Sequence, residues 1–213
     1  DIAHEFDVSL VGGDVVRSPV LFITVSVGGT IVGEPLLRST ALPGDQIGIS
    51  GPLGAAAAGL EILQEDPNTE SAPLSILRQS LRRPRPCVTE GQTLIEEGVR
   101  AAIDISDGLI DDLEKLCKSS GVSAEIEAAK VPVHPDVKLN FPNKFLEFGL
   151  NGGDDYELLF TASPIICRKV LTLLPDSASL IGTIGSGEPG KVKILSSDSN
   201  SLEIPRRGWD HFT

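Results

Sequence analysis

Methionine is absent from these 213 residues, tryptophan and tyrosine occur once each, and there are only three histidines and three cysteines. Each scarcity excludes something. Cys87, Cys117 and Cys167 are odd in number, far apart and without the paired spacing of a zinc site, so they read as reduced thiols in a cytoplasmic setting. His4, His134 and His211 show no i, i+4 metal spacing and no local nucleophile signature, which leaves histidine-based catalysis unsupported. Positive charge is also short. Against 30 Asp and Glu stand 18 Lys and Arg, a formal charge of −12, which argues against a nucleic-acid partner read through its phosphates. The densest basic run, Arg78 to Arg85, reads as a solvated helix end. No apolar run approaches the roughly 20 residues that span a bilayer, and no secretory leader is visible. Phosphate loops are missing too: there is no Walker A sequence, and the one G-x-G-x-x-G match, Gly185 to Gly190, runs through Pro189 into an apparent strand and predicts a hairpin turn.

What remains is an acidic globular chain, 40% hydrophobic, long enough for one large domain or one and a half. Its most informative stretch is Ala102-Ile103-Asp104-Ile105-Ser106-Asp107-Gly108-Leu109. A buried-type strand over Arg100 to Ile105 runs there into a helix whose apolar positions are Leu109, Leu113, Leu116 and Cys117. Asp107 falls at the expected N-cap, where free N–H groups favour anions, and Asp104 and Asp107 would repel each other unless a cation lay between them. The spacing therefore points to magnesium and phosphate. On this motif alone a plain helix cap and a solvated strand-end charge explain the two acids equally well.

Elsewhere the pattern predicts a helix end at Ile2 to Phe6, strands at Val8 to Val11, Val20 to Val27 and from Thr30, a strand at Gln46 to Ser50, and an alanine-rich helix to about Gln64. Helices follow near Pro73 to Arg82 and Thr89 to Arg100, the second with Thr89 and Gln92 in capping-box spacing. After the Asp104 motif come a strand near Ser123 to Ile126, a Pro/Asn-rich loop, and a helix from about Asn143 to Gly149. The strand Tyr156 to Thr161, a helix near Ile165 to Leu174 and two short strands complete a mixed α/β and α+β pattern. Gly12-Gly13-Asp14 and Gly152-Gly153-Asp154-Asp155 each follow or precede a strand, where glycines would let backbone N–H groups approach a phosphate while an acid reaches a metal; ordinary turns are the competing explanation. Arg38, among Leu36 and Leu37, reads as a phosphate contact or a surface cation, and Trp209 as a stacking platform or a packing anchor.

Taken together and in order, VGGDVVRSP at 11–19, LLRSTALPGD at 36–45, AIDISDGL at 102–109, GGDDYELLF at 152–160 and GWDHF at 208–212 resemble the thiamine-monophosphate kinases. These are relatives of aminoimidazole ribonucleotide synthetase, selenophosphate synthetase and a hydrogenase maturation protein. The resemblance implies that residues 1–42 close an N-terminal ATP- and metal-binding domain that forms a homodimer, and that residues 43–213 form an α+β C-terminal domain. It implies magnesium, several ions of it, on Asp14, Asp104 and Asp107, with Asp107 the residue most tied to catalysis. ATP as co-substrate would meet Gly13, Arg38 and Ser106, and thiamine monophosphate would meet Asp154 and Trp209. The family's upstream Gly-Asp-Asp metal segment has no counterpart here, so this stretch alone is expected to be inactive. Val15 stands where threonine is usual, Asp154 where glutamate is, and Cys87 where an arginine is common. Two other outcomes remain open at this point: a different ATP-dependent enzyme of the superfamily, such as a ring-closing ligase or maturation factor, or a non-catalytic nucleotide-binding relative.

Overall fold

The structure, a computed structural model, describes residues 2–31, 33–65, 72–174, 178–198 and 200–202. It divides into two units, residues 1–31 and the remainder. The first holds a short helix α1 (Ile2–Glu5) followed by chain without strand pairing. The strands expected at Val8 to Val11, at Val20 to Val27 and from Thr30 do not form. A strand exists by pairing its backbone groups with a neighbour, and no neighbour lies alongside these residues among those described, so Leu21, Phe22 and Val27 are exposed.

The second unit is built on one six-stranded sheet. In chain order its elements are β1 (Gln46–Ile49), α2 (Ala55–Glu65), α3 (Ala72–Arg82), α4 (Val88–Glu96), β2 (Ala101–Asp104), α5 (Leu109–Ser120) and β3 (Ser123–Glu127). There follow α6 (Pro135–Asn140), α7 (Phe145–Asn151), β4 (Leu158–Ala162), α8 (Pro164–Leu173), β5 (Ser179–Gly185) and β6 (Val192–Leu195). The strand order is β2-β4-β1-β5-β3-β6, antiparallel throughout except for the parallel pair β3–β6.

Period-two alternation explains why both faces of this sheet are covered. Ala101, Ile103 and Leu159 point into the larger core with α2 and α5, while Ala102, Phe160 and Ala162 point into a smaller one with Leu94 of α4 and Cys167 and Val170 of α8. Phe160 is fully buried across from its register partner Gly48, and a Cβ at Gly48 would fall 2.3 Å from the ring. Small residues also set the helix layer. At Gly59 a Cβ would lie 2.2 Å from the Leu77 carbonyl, so α3 can lie against α2 only because that position is glycine.

Three local expectations are corrected. Helix α4 starts at Val88 behind Cys87 with no side-chain cap, so the Thr89–Gln92 capping box is not formed, and it stops before Gly98, whose φ of +84° ends the turn. The Gly185–Gly190 segment is not a hairpin: β5 and β6 flank β3, and the loop steps over the end of that strand, with Gly187 N–H donating to Ser123 Oγ. The Pro/Asn-rich loop contains α6, whose first residue Pro135 suits a helix start and whose N-cap His134 accepts the Asp136 N–H on Nδ1. Among the described residues no helix is long and apolar enough to cross a membrane.

Candidate functional site

Strand β2 delivers Asp104 to its exposed C-terminal end, and Ile105 to Gly108 carry the chain into α5. Asp107 is not the cap of that helix. The N-cap position is Gly108, at a φ of +128° that side chains rarely adopt, and the capping is done from inside the first turn. Asp112, 1% exposed, turns back so that one oxygen accepts the N–H groups of Ser106 at 3.0 Å, Asp107 at 3.0 Å and Gly108 at 3.2 Å. That leaves the Asp107 carboxylate, half-buried, directed away from backbone duty and paired with Lys115.

The second acidic motif is zipped onto the first. Asp154 N–H donates to the Ser106 carbonyl, Tyr156 N–H to the Ile105 carbonyl, and Ile105 N–H to the Glu157 carbonyl. Such close approach needs glycine. A Cβ on Gly153 would lie 2.5 Å from the Ser106 oxygen, and one on Gly108 would lie 2.9 Å from the Asn151 oxygen. Gly153→Ala should therefore push the two segments apart and lower stability by about 1–3 kcal/mol, the usual range for overpacking, measured by chemical denaturation. An unchanged midpoint would mean that the loop relaxes without cost.

Asp154 and Tyr156 both hold left-handed backbone, at φ of +65° and +54°. For a bulky tyrosine this is an outlier, sustained by the hydrogen bonds around it. Its phenol donates to Asp154 Oδ1 at 3.1 Å. Partial burial, the Asp154 bond and charge, and the charges of Asp104 and Asp107 hold that phenol above its ordinary pKa. Tyr156 thus stands among three carboxylates. Ser106, Asp107, Asp154 and Tyr156 border a cleft of about 460 Å³ closed on its far side by Ala57 and Leu60 of α2.

Behind this rim lies a second acidic pair. Asp155 reaches the start of α2 and accepts the N–H groups of Gly54 at 2.7 Å and Ala56 at 3.2 Å. Although the residue touches solvent, its carboxyl is enclosed, and burial pushes its pKa up to about 7 against those backbone donors. Glu157 accepts from Ser50 Oγ and from Cys87 Sγ at 3.3 Å, and burial raises its pKa as well. Burial, then the Glu157 charge, push the Cys87 thiol up to about 12. The thiolate is the nucleophile, so Cys87 should be alkylated about a thousandfold more slowly at neutral pH than an ordinary thiol with a pKa of 9.0. Iodoacetamide labelling read by mass spectrometry checks this, and rapid labelling would contradict it. Asp154 also borders an adjoining cavity of about 540 Å³ with Asp155, Arg83, Arg85 and His134. Nothing in the spacing of the histidines places one nearby, yet the start of α6 brings His134 there.

Of the residues singled out in the sequence, Asp104, Ser106, Asp107 and Asp154 are brought together. Arg38 is not. Leu37 N–H donates to the Arg100 carbonyl and Ser120 Oγ to the Arg38 carbonyl, which fixes Arg38 at the start of β2 and the end of α5, the opposite ends from Asp104 and Asp107. Gly13 and Asp14 belong to the first unit, where Asp14 accepts the Val15 N–H at 2.8 Å, and both are exposed. Trp209 lies outside the described residues. Asp112, Lys115, Asp155 and Glu157 were not singled out. Two acids in the first turn of α5 were visible, but that one of them folds back onto the preceding loop is not encoded in spacing.

Residues 42–193 match the family of the AIR synthase related protein, C-terminal domain. The chain is 38% identical over 193 residues to the thiamine-monophosphate kinase of Methanopyrus kandleri, covering 89% of this chain and 59% of that protein. With the thiamine-monophosphate kinase of Bacillus subtilis (strain 168) it shares 34% identity over 220 residues, covering all of this chain and 67% of that one. Its fold superposes on the solved structure of AaThiL complexed with AMPPCP and TMP with a TM-score of 0.71 at 32% identity, covering 83% of this chain and 54% of that chain. The chain thus spans about three-fifths to two-thirds of the length of these curated relatives. With two acidic motifs interlocked at the end of a mixed sheet, and sequence kinship running through both, the chain belongs to the AIR synthase related family, on the branch that the thiamine-monophosphate kinases define.

Proposed function

We propose that the protein serves the ATP-dependent phosphorylation of thiamine monophosphate to thiamine diphosphate by in-line phosphoryl transfer assisted by magnesium. The observation that carries this reading is the gathering of Asp104, Asp107 and Asp154 around Tyr156 beside a cleft, on two segments held together by backbone hydrogen bonds. With only Lys115 on Asp107 to offset three carboxylates, such a rim stays net negative and repels an anionic substrate unless cations accompany it. The donors fit magnesium, which takes oxygen ligands and is usually held by one or two carboxylates, with substrate phosphates and water completing the octahedron. Among the described residues no group of three or more His, Cys, Asp or Glu could hold a metal alone, so substrate phosphates would have to supply further ligands. Asp104 and Asp107, with Asp14 as the resemblance implies, would hold the ions, which when bound neutralise charge on the transferring phosphoryl group.

The chain's own residues would position the partners. Ser106, beside Asp107, would meet ATP, and the resemblance implies Gly13 and Arg38 for it too, although Arg38 stands at the opposite ends of β2 and α5 in this chain. Asp154 and Trp209 would hold thiamine monophosphate. A phosphate monoester with a second pKa of about 6 is already an anion at neutral pH, so the acceptor needs no strong general base. Asp107 in this reading is a metal ligand and not a proton acceptor. The names of the relatives support the substrate, and the AMPPCP and TMP of the AaThiL complex support a nucleotide facing a phosphorylated acceptor. A homodimer formed through a domain ending near residue 42, and a cytoplasmic setting, complete the reading. The test supplies the complete protein with thiamine monophosphate, ATP and magnesium and follows the products by phosphorus NMR. Thiamine diphosphate should accumulate with ADP; ADP without it would contradict the proposal.

A further inference from the structure

The geometry assigns Lys115 the role of a built-in counter-cation, seated on Asp107 until a divalent ion displaces it. This rests on the reading of Asp107 as a metal ligand. Lys115 Nζ bridges two carboxylates, Asp107 and, at 2.7 Å, Asp112 Oδ1. The two acids differ in freedom. Asp112 is buried and its other oxygen is committed to the three amides of Ser106, Asp107 and Gly108. Asp107 is 36% exposed in its side chain and borders the cleft with Ser106, Asp154 and Tyr156. One end of the bridge is therefore fixed and the other opens onto ligand space. The Lys115 side chain is 42% exposed, which leaves it solvent room to withdraw.

An ammonium and a divalent ion on one carboxylate would be like charges a few ångströms apart, so both cannot hold Asp107. When the ion arrives Lys115 loses one partner and keeps the other, swinging on Asp112. The consequence is twofold. Without the ion, Asp107 is neutralised and held in place beside Asp104 and Asp154. With it, the ion must displace an ion pair, which lowers its apparent affinity by a constant factor.

The test measures manganese binding to the complete protein by electron paramagnetic resonance, for the wild type, Lys115→Gln, Lys115→Arg and Asp107→Asn. A parallel NMR measurement follows the lysine ammonium signals as magnesium is added. Lys115→Gln should bind manganese about fivefold more tightly, the size of one partly exposed ion pair, and Lys115→Arg should not. The Lys115 ammonium signal should shift on adding magnesium. If Asp107→Asn binds manganese as well as the wild type, the reading of Asp107 as a ligand is wrong. If Asp107→Asn weakens binding but Lys115→Gln leaves it unchanged or weaker, or the Lys115 signal does not respond, the counter-cation role alone is overturned. Lys115→Gln also takes the cation from the buried Asp112, whereas Lys115→Arg retains a charge there, so a melting curve beside each titration separates loss of the loop from a change in ion affinity.

Discussion

Asp107→Asn lowers turnover of the complete protein by more than about a hundredfold, since even the outer partners of metal ligands cost 10–100-fold when removed. Folding should survive it. Among the described residues the side-chain partner of Asp107 is the half-exposed Lys115, and pairs of that kind contribute about 0–1 kcal/mol. The loop around it is held from elsewhere, by Asp112 on three amides and by the backbone bonds to Asp154 and Tyr156. Steady-state kinetics at varied magnesium, with a melting curve beside them, separate the two effects. A loss below about tenfold with unchanged magnesium dependence would remove Asp107 from the account.

Asp155 should dominate the pH dependence of stability. Its folded pKa of about 7 stands above the 3.8 of a free aspartate side chain, chiefly because its carboxyl is enclosed. Between those two values the folded state holds a proton that the unfolded chain has released. Stability from this group is therefore complete below pH 4 and is lost as pH rises toward 7. The loss is about 2–4 kcal/mol. Asp155→Asn cannot titrate, so the difference in unfolding free energy between wild type and variant should shrink or change sign across that window. Urea unfolding at several pH values reads it directly, and a constant difference from pH 4 to 8 would contradict the assignment. Protonation also weakens one of the two Asp155 oxygens as acceptor for Gly54 or Ala56, and so couples the start of α2 to the loop carrying Asp154.

Much of this site is legible in the chain because it is built from two short continuous motifs. The alternation before Asp104 and the helical spacing after Leu109 place a strand-to-loop-to-helix junction where the structure has one, and the paired glycines before Asp154 announce a close approach. The close approach turns out to be to the first motif itself, Gly153 against the Ser106 carbonyl. What spacing cannot show is which residue satisfies a helix start when a later one can fold back. Asp107 occupies the textual position of a cap, but Gly108 takes the backbone geometry and Asp112 takes the hydrogen bonds, leaving Asp107 for the cleft.

Partner identity is the other hidden quantity. Gly185 to Gly190 reads as a turn and is one, yet the strands it joins are separated by β3, because neighbours in a sheet are chosen by packing across the whole chain. The alternation of Val20 to Val27 is equally clear in the sequence, and no strand lies beside it among the described residues. Arg38 shows the same limit from the side of function. Its apolar neighbours do fix it, through Leu37 at the edge of β2, but at the end of the strand away from the carboxylates.

The central claim is that Asp104 and Asp107 hold a divalent ion against the phosphates of a nucleotide. Crystals of the complete protein grown with manganese and AMPPCP, with anomalous scattering recorded at the manganese edge, test it most directly. The account predicts a manganese peak within coordination distance of both carboxylates and of phosphate oxygens, with Lys115 withdrawn toward Asp112. A nucleotide bound with its phosphates elsewhere, and no peak beside Asp107, would contradict it.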